Sequence, residues 1–148
     1  MEVFRIHGPA FDPLDGTGAA IRGSRWNPPG LPVVYAALHY EGAILEQLVQ
    51  AGIGRLPRNR VVSRIEIAEA AGVEELEEVN DDVWQDEVRT RRIGGEWLRA
   101  HSGVALVVPS VVARPFGKNV LINPAHPDFR QVRVLQTIAM TWDPRLFG

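Results

Sequence analysis

Short segments that can form strands, separated by glycine and proline, restrict the fold of this chain more than any other feature of its sequence. Some alternate polar and apolar side chains and others are continuous apolar runs, patterns typical of half-buried and fully buried strands. The predicted strands cover residues 2–6, 31–36, 60–68, 105–108, 119–122 and 131–141. Because helical segments lie between the early and the late strands, we expect an α+β domain with mostly antiparallel sheets and flanking helices.

The first helix is predicted over residues 38–51. Its apolar side chains, Leu45 and Val49 among them, recur at helical spacing and predict a broad apolar face. Glu46 lies at the edge of that face, and the residues one turn before it, Gly42 and Ala43, are small. The carboxylate of Glu46 therefore has room beside it for a ligand.

A second helix is predicted over residues 90–100, where the pair Gly94 and Gly95 weakens the helix and could break it. Its neighbourhood is rich in positive charge, with Glu87 and Glu96 interspersed. The arginines concerned are Arg89, Arg91, Arg92 and Arg99. A solvated helix face explains such a group of charges, so we expect these arginines to be surface residues.

A long segment rich in Gly, Pro, Asp and Asn, residues 12–32, is predicted to be a loop of about twenty residues. Structureless loops of that length are uncommon in compact domains and are often functional. Within it, the stretch GSRWNPPG carries Arg25 and Trp26, two large side chains that are costly to order. Their presence suggests a role that Ser, Asn or Gly could not supply.

Length and composition exclude several classes of protein. With 148 residues the chain fits a single domain over residues 1–148, and its net charge of −2 lacks the basic character of a nucleic-acid-binding domain. The absence of cysteine excludes disulfides, thiolate metal sites and a cysteine nucleophile. We find no signal peptide and no apolar run of membrane-spanning length, so we expect a cytoplasmic protein that does not enter a membrane.

Several common catalytic patterns are missing as well. The four histidines, His7, His39, His101 and His126, show no metal-binding spacing, so we expect them to be surface or loop residues and the protein to need no metal. The chain has neither a dinucleotide-binding glycine fingerprint nor a phosphate-binding Gly-Lys-Ser/Thr loop. Ser110 lies in VVPSVVA and not in the Gly-x-Ser-x-Gly turn of a serine hydrolase.

Five polar residues remain at the ends of predicted elements or beside small side chains, and these are the candidate site residues. They are Arg5, Arg25, Tyr35, Glu46 and Ser110. Spacing alone favours ordinary explanations, with Arg5 on a strand surface, Tyr35 in the core and Glu46 on a solvated helix face. A resemblance to a known family changes that balance.

The segment GSRWNPPGLPVVYAALHYEGAILEQL resembles the RES domain, a family named for Arg, Glu and Ser residues that occurs as the toxin of bacterial toxin-antitoxin pairs. The later segments ALVVPSVVARPFGKNVLINPAHPDF and WDPRLFG match the pattern of the family in the expected order. The resemblance covers nearly the whole chain, and residues 56–102 are its least diagnostic part. It implies a fold similar to that of ADP-ribosyltransferases and an activity on NAD, cleavage of the nicotinamide–ribose bond with phosphate or water as acceptor.

Carried over to this sequence, the functional positions of the family are Arg5, Arg25, Tyr35, Glu46 and Ser110. Glu46 is expected to stabilise the oxocarbenium-like ribose and to act as base if water attacks. Arg5 and Arg25 suit the pyrophosphate, and the Tyr35 ring suits the cationic nicotinamide. Ser110 is expected to hydrogen-bond the ribose or the carboxamide.

Three further residues have two interpretations each. Asn119 and Asn123 also match the family pattern and either contact NAD or cap strands and turns. Trp26 either packs under its loop, which fixes the direction of Arg25, or lines the dinucleotide site.

The resemblance leaves the reaction and the assembly open. Some members of the family deplete NAD and at least one is associated with ADP-ribosylating a protein, so a protein ADP-ribosyltransferase is the main alternative. A catalytically silent nucleotide-binding module and a ribonuclease toxin are two others, and the acidic charge and the lack of paired histidines disfavour the last. The resemblance implies a helix-turn-helix, Xre-like antitoxin as partner. Both a homo-oligomer and a toxin-antitoxin hetero-oligomer are compatible with the sequence.

Overall fold

The computed structural model describes residues 1–76 and 85–148. A seven-stranded sheet forms the centre of this part of the protein. The strands are β1 (Glu2–His7), β2 (Val34–Ala37), β3 (Val61–Ile67), β4 (Val73–Glu75), β5 (Ala105–Pro109), β6 (Lys118–Ile122) and β7 (Val132–Ala139). The helices are α1 (Thr17–Arg22), α2 (Tyr40–Ala51) and α3 (Glu87–Ala100), and single turns of 3-10 helix cover Glu69–Ala71, Phe129–Gln131 and Pro144–Phe147.

The strand order is β4-β5-β6-β2-β1-β3-β7. Every neighbouring pair is antiparallel except β4 and β5, which are parallel. The expected α+β fold with a mostly antiparallel sheet is therefore confirmed. The short strand β4 was not predicted, because its three residues, Val-Glu-Glu, are too few to show an alternating pattern.

The prediction of an unstructured loop over residues 12–32 is wrong in its middle, where α1 forms. Gly16 precedes and Gly18 interrupts a helix of six residues, which is too short for an apolar residue to recur one turn later. The segment after α1 nevertheless remains a loop that contains Arg25 and Trp26.

The predicted apolar face of α2 is wrong at two positions. Leu45 is 36% exposed and Val49 is 56% exposed, whereas Ala43 is the buried residue of the helix. The helix packs through Ala43 and Ile44 against a small cluster that includes Ile6 and Val62, so its outer apolar side chains have no sheet beneath them. The spacing predicted the helix correctly, but the part of the helix that packs against the sheet is narrower than expected.

Helix α3 continues without a break through Gly94 and Gly95, which are both buried. A side-chain Cβ at Gly94 would lie 1.8 Å from the backbone oxygen of Trp26. The glycines therefore allow the loop of Trp26 to pack directly on the helix backbone, and this contact offsets their low helix propensity.

Two clusters of buried side chains hold the sheet together. The larger one contains Val3, Val34, Ile65, Val120 and Ile122, together with further aliphatic residues that include Val107 of β5 and Val132 of β7. The second joins α3 to the sheet and contains Trp26, Val33, Trp97, Leu98, Leu106, Val108 and Leu121. Strand β7 lies at one edge of the sheet and is exposed over most of its length.

His7 contradicts the expectation that each histidine is a surface or loop residue. It ends β1, is 8% exposed, and its Nε2 lies 2.7 Å from the Ser63 hydroxyl, which in turn lies 2.8 Å from the Thr137 hydroxyl. Burial lowers the pKa of the His7 imidazole. Because β1 lies inside the sheet between β2 and β3, its last side chain is covered.

No helix in the described ranges is long and apolar enough to cross a membrane.

Candidate active site

A cavity of about 700 Å³ opens where strands β1 and β2 diverge. The two strands pair only at Phe4 and Ala37, whereas β1 and β3 pair from Glu2 to His7. Side chains from β1, β2, α2 and α3 line the cavity, together with the loop that contains Arg25 and the segment after β5. Its volume falls within the range of about 300 to 1,000 Å³ that is usual for small-molecule sites.

Glu46 of α2 is held by two neutral donors from neighbouring strand ends. The Asn119 side-chain amide donates to Oε1 of Glu46 at 3.0 Å, and the Ser110 hydroxyl donates to the same oxygen at 3.2 Å. Ser110 itself accepts from the backbone N–H of Ala113 at 3.1 Å, which fixes its hydroxyl. Among the described residues Oε2 of Glu46 accepts no side-chain hydrogen bond, so one carboxylate oxygen is oriented while the other remains available to a ligand.

The loop on the opposite side, residues 23–30, is held by its backbone and by Asn27. Ser24 and Asn27 form a short antiparallel bridge with a 2.9 Å hydrogen bond. The Asn27 side chain is fully buried and donates to the backbone oxygens of Ala19 and Leu31 at 2.9 and 3.0 Å. The asparagine therefore ties both ends of the loop to its centre.

Helix α3 holds the same loop from outside. Thr90 donates its hydroxyl to the backbone oxygen of Arg25 at 2.5 Å, and Arg91 donates Nε–H to the backbone oxygen of Ser24 at 2.8 Å. Trp26 is only 2% exposed and packs with Trp97 in the second core cluster. The Trp26 indole therefore packs under the loop, which is the first of its two interpretations. Trp26 also borders the cavity.

Tyr35 joins the sheet to the loop. Its hydroxyl donates to Oδ1 of Asn27 at 2.6 Å and accepts the backbone N–H of Trp26 at 3.0 Å. Burial raises the pKa of Tyr35 to about 12, so the hydroxyl stays protonated. The residue lines the cavity as expected, and the structure adds a loop-holding role that the sequence did not indicate.

Both candidate arginines border the cavity, but in different surroundings. Arg5 is largely buried, which lowers the pKa of its guanidinium, and its Nη1 donates to the backbone oxygens of Pro13 and Asp15. The Arg25 side chain is 32% exposed, and its Nη2 lies 3.4 Å from Oε1 of Glu87. Arg5 thus holds the segment before α1, whereas Arg25 is partly exposed and pairs with Glu87.

The structure brings most of the predicted residues together. Six of them line one cavity, namely Arg5, Arg25, Trp26, Tyr35, Glu46 and Asn119. Ser110 is not a lining residue but donates a hydrogen bond to Glu46. Asn123 lies elsewhere: it is buried, donates to the backbone oxygen of Leu98 at 3.0 Å and accepts from Ala125 N–H at 3.1 Å. These contacts agree with the interpretation of Asn123 as a residue that caps a turn.

The lining residues that the sequence did not assign to the site include four with long polar or charged side chains, Gln47, Gln50, Glu87 and Arg91. Gln50 follows Glu46 on α2 by about one helical turn, which could have placed it on the same side, whereas Gln47 is the adjacent residue and its spacing gives no such signal. Arg91 is a surface residue as expected, with its side chain 39% exposed, but it also contacts the Ser24 carbonyl and borders the cavity. Within the described residues, no group of three or more His, Asp or Glu side chains is placed to hold a metal ion.

The sequence matches the RES domain family over residues 2–143. A "Prs ADP-ribosylating toxin" from Sphingobium sp. is 37% identical over 141 residues, which cover 91% of this chain and 87% of that protein. A "Toxin Res" from Pseudomonas putida is 34% identical over 149 residues, covering 99% of this chain and 100% of that protein.

A solved structure, that of the M. tuberculosis MbcT-MbcA toxin-antitoxin complex, contains a chain with the same fold. The TM-score is 0.78 and the sequence identity 21%, over 99% of this chain and 86% of that one. The family match covers residues 2–143, and the backbone fold agrees with it. The chain therefore belongs to the RES domain family.

Proposed function

We propose that this protein is a toxin that consumes NAD by breaking the bond between nicotinamide and ribose, with phosphate or water as acceptor. The observation that carries the proposal is the carboxylate of Glu46, which borders a cavity with one oxygen oriented by Asn119 and Ser110. The named toxins among its relatives support the biological role, and the name of the Sphingobium relative supports chemistry on an ADP-ribosyl donor.

The residues around Glu46 suit a reaction that develops positive charge on ribose. Nicotinamide leaves NAD as a neutral ring and takes the bonding electron pair with it, so no general acid is needed. The ribosyl carbon becomes cationic as that bond breaks, and a fixed carboxylate lowers the energy of this state. Asn119 and Ser110 occupy Oε1 of Glu46, which leaves Oε2 to face the substrate.

The acceptor decides whether Glu46 has a second task. Water must lose a proton as it attacks, and the Glu46 carboxylate, which lines the cavity, can accept it. Phosphate is already an anion and needs no base, so Glu46 would then act only on the ribosyl cation. The products are ADP-ribose in the first case and ADP-ribose phosphate in the second, with nicotinamide in both.

The remaining lining residues suit the rest of the dinucleotide. The planar guanidinium of Arg25 matches the oxygens of a pyrophosphate, and the ring of Tyr35 can lie against the cationic nicotinamide. Arg5 contributes positive charge from the β1 side, although its Nη1 is already bonded to two carbonyls. In this proposal NAD is the substrate and no metal takes part.

A protein ADP-ribosyltransferase is the second candidate, and one observation favours it: the Sphingobium relative is named an ADP-ribosylating toxin. In that reaction a nucleophilic side chain of another protein replaces water or phosphate. The same carboxylate and the same dinucleotide contacts would serve both reactions.

An antitoxin is the proposed partner, and a helix-turn-helix, Xre-like protein is the type that we infer. The complex in which the structural relative was solved supports a toxin-antitoxin pair. A reading frame of that type beside the gene, and co-purification of its product with this chain, would test the pairing.

Incubation of the purified protein with labelled NAD, with and without phosphate, tests the activity. We expect nicotinamide release, accompanied by ADP-ribose in water and by its phosphate ester when phosphate is present. Label that stays in a protein band after addition of a cell extract would instead favour the transferase. Intact NAD in all samples, with NAD still bound, would identify a silent binding module.

A further inference from the structure

A second cavity, of about 480 Å³, adjoins the first one. It is lined by residues of α1, Ile21 and Arg22 among them, and by the start of the loop that follows this helix. Gly23, Ser24 and Tyr35 line both cavities, so the two share one wall. A ligand that consists of two joined parts can therefore occupy both. The second cavity is called the α1 cavity below.

Helix α1 is held in place through its backbone. None of its residues is buried. The backbone oxygen of Ala19 accepts the Asn27 side-chain amide at 2.9 Å and the Gly23 N–H at 3.0 Å. The backbone oxygen of Ala20 accepts the Gly30 N–H at 2.7 Å. The helix therefore has a fixed position although it buries no side chain in the core.

The α1 cavity combines an apolar surface with one positive charge. Ile21 is 76% exposed on this fixed helix, and a Cβ at Gly18 would meet no atom within 4 Å. Among the described residues that line the α1 cavity, Arg22 carries the only charge, and its side chain is exposed. A flat apolar group beside an anion suits such a surface, and an adenosine phosphate has both.

We infer that the α1 cavity binds the adenosine phosphate half of the substrate, with adenine packed on Ile21 and the adjacent phosphate near Arg22. This assignment rests on the proposed function, in which the nicotinamide half of NAD lies beside Glu46 in the first cavity. The diphosphate that joins the two halves then crosses the shared wall. Ile21 and Arg22 contribute to the affinity for substrate and do not touch the reacting atoms.

Binding measurements with fragments of the dinucleotide test this inference without turnover. The affinities of the full chain for adenosine, AMP and nicotinamide mononucleotide are measured by calorimetry. The variants are Ile21→Ser, the conservative Ile21→Leu and Arg22→Ala, each compared with the wild type. Ile53→Ser is the matched control, because Ile53 is fully exposed and lines neither cavity.

We expect Ile21→Ser to weaken the binding of adenosine and AMP by about fivefold, because apolar surface is lost beneath the base. Ile21→Leu and Ile53→Ser should leave both affinities within about twofold of the wild type. Unchanged binding of nicotinamide mononucleotide by Ile21→Ser would show that the variant is folded. Arg22→Ala should weaken AMP binding by about threefold but not adenosine binding, and added salt should reduce this difference.

A free adenine nucleotide has the same chemistry as the adenosine half of NAD, and competition distinguishes the two sources. NAD binding is measured by calorimetry on Glu46→Gln, in which NAD should not be consumed, with and without AMP. We expect AMP to lower the apparent affinity for NAD. AMP that binds without this effect would show that the α1 cavity serves a free nucleotide, which would contradict the assignment to the substrate.

Unchanged AMP binding by Ile21→Ser would overturn the inference, and so would equal losses for AMP and nicotinamide mononucleotide. These measurements do not depend on nicotinamide release. A protein whose AMP binding changes as expected but which leaves NAD intact would therefore contradict the proposed activity and not the role of the α1 cavity in binding adenosine phosphate.

Discussion

The two sides of the cavity are held in place by different means. On one side, the side chain of Glu46 is oriented by two other side chains, those of Asn119 and Ser110. On the other, Arg25 stands on a loop that is fixed through its backbone and through the packing of Trp26 on Gly94. A single substitution can therefore disturb the carboxylate alone, whereas the position of Arg25 depends on the packing of a whole segment.

The largest expected effect on the stability of the fold is on the packed side. In Gly94→Ala the new Cβ would lie 1.8 Å from the Trp26 backbone oxygen, so the loop and the helix must separate. We expect a loss of about 3 kcal/mol or more in the free energy of unfolding, measured by urea denaturation. Gly95→Ala is the matched control, because its Cβ would first meet side-chain atoms of Pro28 and Arg99, at 3.2 and 3.3 Å, and not a backbone atom at 1.8 Å. Equal losses in the two variants would contradict the packing account.

The next effect concerns the charge that the loop presents. Arg25→Ala removes the guanidinium but leaves the backbone bond to Thr90, so the fold should persist. We expect KM for NAD to rise about tenfold, with a smaller change in kcat. Arg89→Ala, an exposed arginine of α3 that pairs with Asp86, serves as control. A fall in kcat with KM unchanged would place Arg25 at the reacting atoms and not at the phosphates.

On the carboxylate side, Asn119→Ala removes the 3.0 Å hydrogen bond to Glu46. A hydrogen bond to a charged group contributes about 1.5 kcal/mol or more, so we expect kcat to fall by at least about tenfold while KM stays constant. Steady-state rates of nicotinamide release would show this split. If KM rises while kcat is constant, Asn119 binds substrate directly and does not orient the carboxylate.

The smallest effect lies where the two sides meet, at Tyr35. Its pKa in the folded protein, about 12, is higher than the usual value of 10.0, because burial disfavours the phenolate. The stability that this hydroxyl contributes is therefore fully present below pH 10 and is lost as the pH rises to about 12.

Urea denaturation across that alkaline range compares the wild type with Tyr35→Phe. The variant should be about 1 kcal/mol less stable at neutral pH, because Asn27 and the Trp26 N–H lose their partner. The difference should shrink as the pH rises. A constant difference would mean that the hydroxyl does not titrate with folding.

Sequence predicted the parts of the fold that repeat regularly. Most strands and both longer helices were found within a few residues of their true bounds, because alternation and helical spacing reflect burial directly. The misses share one cause: α1 and β4 are too short to display a period. Leu45 and Val49 were expected on a buried face but are exposed. Spacing shows which residues share a face of a helix, and it does not show how much of that face the sheet covers.

The candidate site was predicted in a similarly uneven way. Arg25, Tyr35 and Glu46 were found through residues that match a family, whereas Arg91 and Glu87 were taken for a solvated face. Their pattern on α3 is that of an ordinary charged helix, and their place at the cavity depends on the packing of that helix against the loop of Trp26. A long-range contact of this kind leaves no periodic signal.

The role of Glu46 is the central claim, and Glu46→Gln tests it most directly. NAD binding by calorimetry and nicotinamide release are measured on the same preparation of this variant. We expect binding within about twofold of the wild type and release slower by about 10²- to 10⁴-fold. Nicotinamide release at the wild-type rate would contradict the account, because the carboxylate would then be unnecessary for breaking the bond.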